Sequence, residues 1–244
     1  AGLCTSWHNK AAFHKLMTGK TIGEVEHTLT EKDHAVLYLP IYRLDFSIYA
    51  NQLAAHQITQ LIRAAHSVKV DSCSYRSPNI VLIIGESFGR HHSQQYGYFM
   101  ETTPRQVALE KTRKLTKFSD VVTCWNLTSF VFKNMLSTHV VGEKGEWCDY
   151  PLFPEIFRKA GYNVTFITNE FLPQAKEAVY DFSGGFFLNN PELSKLQFDH
   201  RNTQLHDLDD GLLQDYDDSL KQYRTEHNLT IFHLMGQHVS YNFR

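Results

Sequence analysis

The run NIVLII at Asn79–Ile84 is apolar and largely β-branched after its first residue, and it has strand length. A strand of that composition predicts cover on both faces, as in a parallel sheet flanked by helices. Two more such runs follow, Tyr162–Thr168 (YNVTFIT) and Leu229–Met235 (LTIFHLM). Between them lie stretches that read as helices. These are Arg105–Lys117, Thr128–Thr138 opened by a hydroxyl residue, Leu152–Ala160 closed by Gly161 in the C′ position, and the charged Thr203–Arg224. Phe118–Thr123 reads as one further short strand. Strands alternating with helices predict an α/β fold, a three-layer αβα sandwich around a mostly parallel central sheet.

Residues 1–77 lack this alternation. Asp45–His66 reads as an amphipathic helix with Ile58, Leu61, Ile62 and Ala65 on one face, and Pro40 breaks whatever precedes it. Val68–Pro78 reads as a linker. The expected organisation is a helical linker over residues 1–77 and the major part of a larger domain over 78–244.

A net charge of −2 argues against a nucleic-acid binder that relies on a basic surface. No apolar run approaches the ~20 residues that span a bilayer. The four cysteines, Cys4, Cys73, Cys124 and Cys148, fit no zinc-ribbon or CxxC spacing; they read equally as free thiols or as one or two disulfides. The 14 histidines are scattered.

In a parallel sheet, ligands sit beyond the carboxyl ends of the strands. The residues there are Gly85-Glu86-Ser87, Asn169-Glu170 and Gly236-Gln237-His238. Gly85 is expected to allow a sharp turn that brings backbone close to a ligand. Glu86 offers a hard oxygen to a divalent metal, or else caps the next helix or pairs with Arg90. His238 suits zinc as a neutral imidazole, or a phosphate oxygen as a cation. Thr128, in TCWNLTSFVFKNMLST, stands near a helix N-terminus, where an anion is favoured; by itself it also reads as a plain N-cap.

The stretch PNIVLIIGESFGRHHSQQYGYFMETTP (Pro78–Pro104) resembles the opening signature of the phosphoethanolamine transferases of the sulfatase and alkaline-phosphatase superfamily. Phe118–Ser137, with Cys124, Thr128, Met135 and Ser137, is similar to that family's nucleophile block. Pro154–Glu170 and Phe232–Arg244 resemble the blocks that follow.

The resemblance implies an alkaline-phosphatase/sulfatase-like fold and a zinc cofactor, with Glu86 and Thr128 as metal ligands and Thr128 as nucleophile. His238 and Asn169 are implied as substrate contacts. The implied reaction takes phosphoethanolamine from phosphatidylethanolamine, through a phosphoethanolamine-threonine intermediate, to lipopolysaccharide. The wording WNLTSFVFKNMLS leans toward a core-heptose acceptor over lipid A. The implied place is the periplasmic face of a Gram-negative inner membrane, with attachment through an N-terminal membrane domain, so residues 1–77 read as juxtamembrane.

The family's zinc site is completed by an Asp-His pair beyond a block like Phe232–Arg244. None follows here, so the segment is expected to be truncated at its C-terminus, to bind zinc weakly and to be inactive by itself. Asp33-His34 and Asp199-His200 stand in the wrong order and read as surface pairs. Asn134 occupies the place of a second cysteine that several members carry, which leaves Cys124 to pair elsewhere, with Cys148 as a guess, or to stay free. No C/S-x-P-x-R motif occurs, which counts against a sulfatase. A phosphatase or phosphodiesterase with a threonine nucleophile, and a binding module with a vestigial site, are the alternatives.

Overall fold

The computed structural model describes residues 7–19, 39–172, 186–236 and 238. Strands β1 (Asn79–Ile84), β2 (Asn163–Thr168), β3 (His200–Arg201) and β4 (Asn228–His233) form one sheet in the order β1-β4-β2-β3. Every pairing is parallel. The last strand in the chain therefore lies in the middle, and its register sets Ile84, His233 and Thr168 level at the carboxyl edge.

The helices are α1 (Trp7–Thr18), α2 (Leu39–Ser67), α3 (Pro104–Lys111), α4 (Thr128–Leu136), α5 (Phe153–Lys159), α6 (Pro191–Gln197) and α7 (Asp210–Asp215). Side chains alternate across a strand, so Val164, Phe166, Leu229 and Ile231 share a face. On that face they pack with Phe132 and Leu136 of α4, Leu193 of α6 and Leu61 of α2. Ile167 and Phe232 face the other way, onto Leu212 of α7 and onto Leu220. Phe132 is 1% exposed; burying such a ring contributes roughly 1.5–3 kcal/mol. The three-layer arrangement is the expected one.

Local details depart from the sequence reading. β2 and β4 are buried nearly throughout, but β1 alternates, with Val81 and Ile83 61% and 63% exposed. The expectation that both faces of Asn79–Ile84 are covered is therefore corrected: among the described residues Ile80, Leu82 and Ile84 pack against the core, and the opposite face is bare. Phe118–Thr123 is no strand; Phe118, Val121 and Val122 are exposed and no neighbour offers a ladder. The helix expected over Arg105–Lys117 stops at Lys111, with Arg113 at φ 57. The stretch Thr203–Arg224 is helical only from Asp210, continuing as a π-turn (Tyr216–Leu220) and a 3-10 turn (Lys221–Tyr223). Helix α2 runs longer than expected, starting with Pro40 in its first turn, where a missing N–H costs nothing.

The linker after α2 is tied down. The Tyr75 hydroxyl donates to the Ala160 carbonyl, its ring stacks on His227 at 3.9 Å, and the Lys159 ammonium donates to the Ala65 and Val68 carbonyls. Gly161, at φ +94, would carry a Cβ only 2.7 Å from the Tyr75 Oη, so glycine is required both by its backbone and by this contact.

Between α5 and α6 the buried Glu155 and Gln197 exchange bonds: the Gln197 amide donates to Glu155 Oε2, and the Glu155 backbone N–H donates to Gln197 Oε1 at 3.2 Å. Desolvation raises the Glu155 carboxyl from 4.5 to about 7, against the Gln197 bond and the Lys159 charge. The unfolded chain ionises near 4.5, so the folded state holds the extra proton and stability falls as pH climbs from 4.5 to about 7. The full cost, on the order of 3 kcal/mol at most, is present above pH 7. Glu155→Gln is therefore expected to stabilise the protein by on the order of 2 kcal/mol at pH 8 and hardly at all near pH 4.5. Thermal melts of both proteins at the two pH values check this; an equal gap at both would exclude the ionisation as its cause.

Candidate active site and metal centre

Thr128 is the first residue of α4, after Leu127 in extended backbone. Its hydroxyl donates to Glu86 Oε2 at 3.0 Å. Glu86 follows β1 by two residues, and its Oε1 accepts from the Ser87 hydroxyl at 2.9 Å. The left-handed residue of this turn is Ser87 (φ 49), not Gly85, around which a Cβ would meet nothing within 4 Å. The expectation for Gly85 is thus corrected: Ser87 makes the turn, and its hydroxyl fixes the carboxylate.

Two further groups meet Glu86. One ligand atom from each of Glu86, Glu170 and His233 lies within 4.8 Å of the others. His233, the last residue of β4, points by alternation to the face that carries α4, where it meets the Phe132 ring at 4.7 Å. It is fully buried, with Nδ1 3.0 Å from the Thr168 hydroxyl and Nε2 3.3 Å from Glu170 Oε2. Desolvation lowers its pKa to about 4, only partly offset by the negative charge of Asp209, so the imidazole is neutral at pH 7. When Nδ1–H donates to Thr168, Nε2 turns its lone pair toward the Glu170 carboxylate. Nε2 makes no hydrogen bond of its own. A buried, unbonded nitrogen lone pair beside two carboxylates is a donor set that fits zinc.

His238 stands at the margin, with Nε2 4.0 Å from Glu170 Oε1. Asn169 is 2% exposed and lies behind Glu170. Its amide donates to Asp209 Oδ1 at 3.0 Å and its oxygen accepts from the His206 N–H at 2.8 Å. Asp209 Oδ1 also accepts from the Met235 N–H at 2.9 Å, so one carboxylate clasps the loops after β2 and β4. A Cβ on Gly236 would come 2.7 Å from Asp209 Oδ2, so the clasp closes only over a glycine.

The structure thus brings Glu86 and Thr128 together, sets His238 close to Glu170, and turns Asn169 toward Asp209. Sequence reasoning noted Glu170 only as part of a loop and took His233 as strand. The missing signal is register: a histidine ending an apolar run, level with the end of its parallel neighbours, points to the rim.

The Cys124–Cys148 guess is corrected, since Cys73, Cys124 and Cys148 are free thiols. Cys124 is exposed and Cys148 is buried, and burial raises the Cys148 thiol to about 11. Asp199-His200 lies at the surface, away from the site. Asp199 binds Arg158 and accepts from the Val164 N–H near the start of β2, and His200 stacks on Tyr223. Asp33-His34 lies outside the described residues.

Residues 78–244 match the Sulfatase family model. Phosphoethanolamine transferase EptC of Escherichia coli (strain RS218) is 29% identical over 166 residues, 68% of this chain and 28% of that protein. The crystal structure of the C-terminal periplasmic domain of EptC from Escherichia coli matches with a TM-score of 0.55 at 29% identity, over 68% of this chain and 45% of that one. Its complex with zinc matches with a TM-score of 0.54 at 27% identity, over 68% and 46%. The chain spans less than a third of the length of the curated EptC relative. With its matched region covering the whole sheet and the Glu86–Thr128 contact, the chain belongs to the sulfatase family and within it is similar to phosphoethanolamine transferases.

Proposed function

We propose that the full-length protein transfers phosphoethanolamine from phosphatidylethanolamine to lipopolysaccharide at the periplasmic face of a Gram-negative inner membrane. The observation that carries this reading is the Thr128 hydroxyl bonded to Glu86, next to the Glu170–His233 pair. Similarity to phosphoethanolamine transferases, one of them solved with zinc, supports the chemistry.

Glu86, Glu170, His233 and the Thr128 oxygen would hold zinc. When bound, zinc supplies a lowered pKa for that hydroxyl and charge neutralisation at the transferring phosphoryl group. Glu86 aligns Oγ1 and accepts its hydrogen. The α4 N-terminus directs its free backbone N–H groups at the incoming phosphate. Thr128 Oγ1 then bonds to phosphorus as the bond from phosphorus to the glycerol oxygen breaks, and diacylglycerol leaves with the proton. An acceptor hydroxyl oxygen next bonds to the same phosphorus as the bond to Thr128 Oγ1 breaks, and the proton the acceptor gives up restores the threonine hydroxyl. His238, beside Glu170 on the open margin, is suited to a phosphate oxygen. Asn169 orders the Glu170 loop, and a direct substrate contact there requires release from Asp209.

The test is peptide mass spectrometry of the full-length protein incubated with phosphatidylethanolamine and zinc. A phosphoethanolamine adduct on the peptide holding Thr128 is expected. Turnover with no adduct there, or an adduct elsewhere, would overturn the assignment.

A further inference from the structure

Where a parallel ladder ends, the chains that leave it need new partners for their backbone N–H groups. Here the paired register ends level at Thr168, His233 and Ile84. One step further, the Asn169 N–H donates to the His233 carbonyl at 3.0 Å and the Leu234 N–H to that of Ile84 at 2.9 Å. The next backbone group after β4, the Met235 N–H, turns instead to Asp209 Oδ1, and the same oxygen holds the Asn169 side-chain amide.

Asp209 reaches these loops instead of serving its own helix. It stands directly before α7, where an aspartate ordinarily accepts from the first backbone N–H groups of the helix. Its side chain makes no such bond. A polar group that departs from the local rule in favour of distant partners marks a place where something beyond the local element is being held.

What is held is the spacing of two groups. Asn169 is followed directly by Glu170, whose own N–H donates to Thr168 Oγ1 at 3.2 Å. The Met235 carbonyl accepts from the His238 N–H at 3.0 Å. One carboxylate oxygen therefore supports, at one remove each, the Glu170 carboxylate that faces His233 and the His238 imidazole 4.0 Å from it. Gly236 lets the clasp close. Its backbone is not left-handed, so an alanine there is opposed by the 2.7 Å contact of its Cβ with Asp209 Oδ2 rather than by backbone strain. We propose that Asp209 is a positioning residue that holds Glu170 and His238 at one spacing, so that zinc binding at the first and phosphate binding at the second depend on the same clasp; this deepens the reading above and rests on it for those two roles.

The experiment measures the zinc affinity of the full-length protein by competition with a chromophoric chelator, then the binding of O-phosphoethanolamine at saturating zinc by calorimetry. Asp209→Ala is expected to weaken zinc at least about tenfold, the usual effect of removing the partner behind a metal ligand, and to weaken O-phosphoethanolamine as well. Asp209→Asn keeps an oxygen where Oδ1 stood and should recover most of both. Gly236→Ala retains every atom of the clasp and adds one methyl; it should shift both affinities in the same direction as Asp209→Ala, and it guards against reading a misfolded variant. Because Asp209 acts through Glu170, its loss should not add to that of Glu170→Gln: the double variant should bind zinc about as poorly as the poorer single one. An aspartate that merely supported the fold would give additive losses. Three results would overturn the proposal: full additivity; both affinities unchanged in Asp209→Ala and Gly236→Ala; or Asp209→Asn as weak as Asp209→Ala. Zinc binding left intact by Glu170→Gln would bring down the metal reading and this proposal with it, whereas a loss confined to Glu170→Gln would sink this proposal alone. None of these readings requires turnover, so they stand whether or not the transfer itself is observed.

Discussion

Thr128→Ala is expected to abolish phosphoethanolamine transfer by the full-length protein, lowering turnover by roughly 10³-fold or more and removing the adduct altogether. The alanine has no oxygen to bond to phosphorus, and no neighbouring hydroxyl stands in its place. The Ser87 hydroxyl is committed to the far oxygen of Glu86, and the side chain of Ser129 is buried. The fold should survive. Thr128 is half-buried, and losing its one bond to Glu86 costs about 1 kcal/mol. Transfer assays beside thermal melts would separate these effects, and Thr128→Ser, which restores a hydroxyl at the same Cβ, should recover measurable turnover. Full transfer by the alanine variant would remove Thr128 from the reaction.

The largest effect on stability is expected at Arg201. This β3 residue donates from Nη1 to the Leu188 carbonyl (3.0 Å) and Ser194 Oγ (3.2 Å). From Nη2 it donates to the Phe171 carbonyl and Asn189 Oδ1, each at 3.1 Å. Its guanidinium lies 5.2 Å from the Phe166 ring centre and 5.8 Å from that of Phe198. Burial lowers its pKa to about 10, which still leaves it charged at neutral pH. One fork therefore joins the loop that carries Glu170, the 186–190 segment and α6. Arg201→Ala would strand several acceptors and open a void beside the stacked Phe166 and Phe198 rings, at a cost of about 3–5 kcal/mol. Urea denaturation of the two proteins measures it. Lysine, a single point charge, cannot replace the fork and should recover little. A loss under about 1 kcal/mol would show that water or a neighbouring donor satisfies those acceptors.

The parts of this fold legible in the sequence were those written in local pattern. NVTFIT and NLTIFH are rich in β-branched and aromatic residues, and both are buried inner strands. Gly161 closes α5 as its position implied. Strand order is a different kind of information. Nothing in LTIFHLM says that it inserts between two earlier strands, because that follows from which faces the helices cover. The same ignorance made NIVLII look doubly covered and made the β-branched Val121-Val122 look like a strand with no partner to pair with. β3, two residues long, leaves no periodic trace.

The site divides along the same line. Glu86 and Thr128 were legible because an ordered set of motif blocks frames them, and they meet across 42 positions of chain. Glu170 and His233 were hidden because their meaning lies in register. His233 is one polar letter inside a hydrophobic strand, and only the level alignment of Thr168 with it brings Glu170 alongside.

The uncovered side of β1 has a consequence for how the molecule behaves in company. Among the described residues β1 hydrogen-bonds only to β4, so its outer rim presents backbone groups in a row beside the bare Val81 and Ile83 side chains. A rim of that kind is a template: any extended polypeptide that reaches it can add a strand and shield the aliphatic pair in one move. Crowding is therefore the condition under which this chain is most exposed to clumping, through the very strand that leads into Glu86.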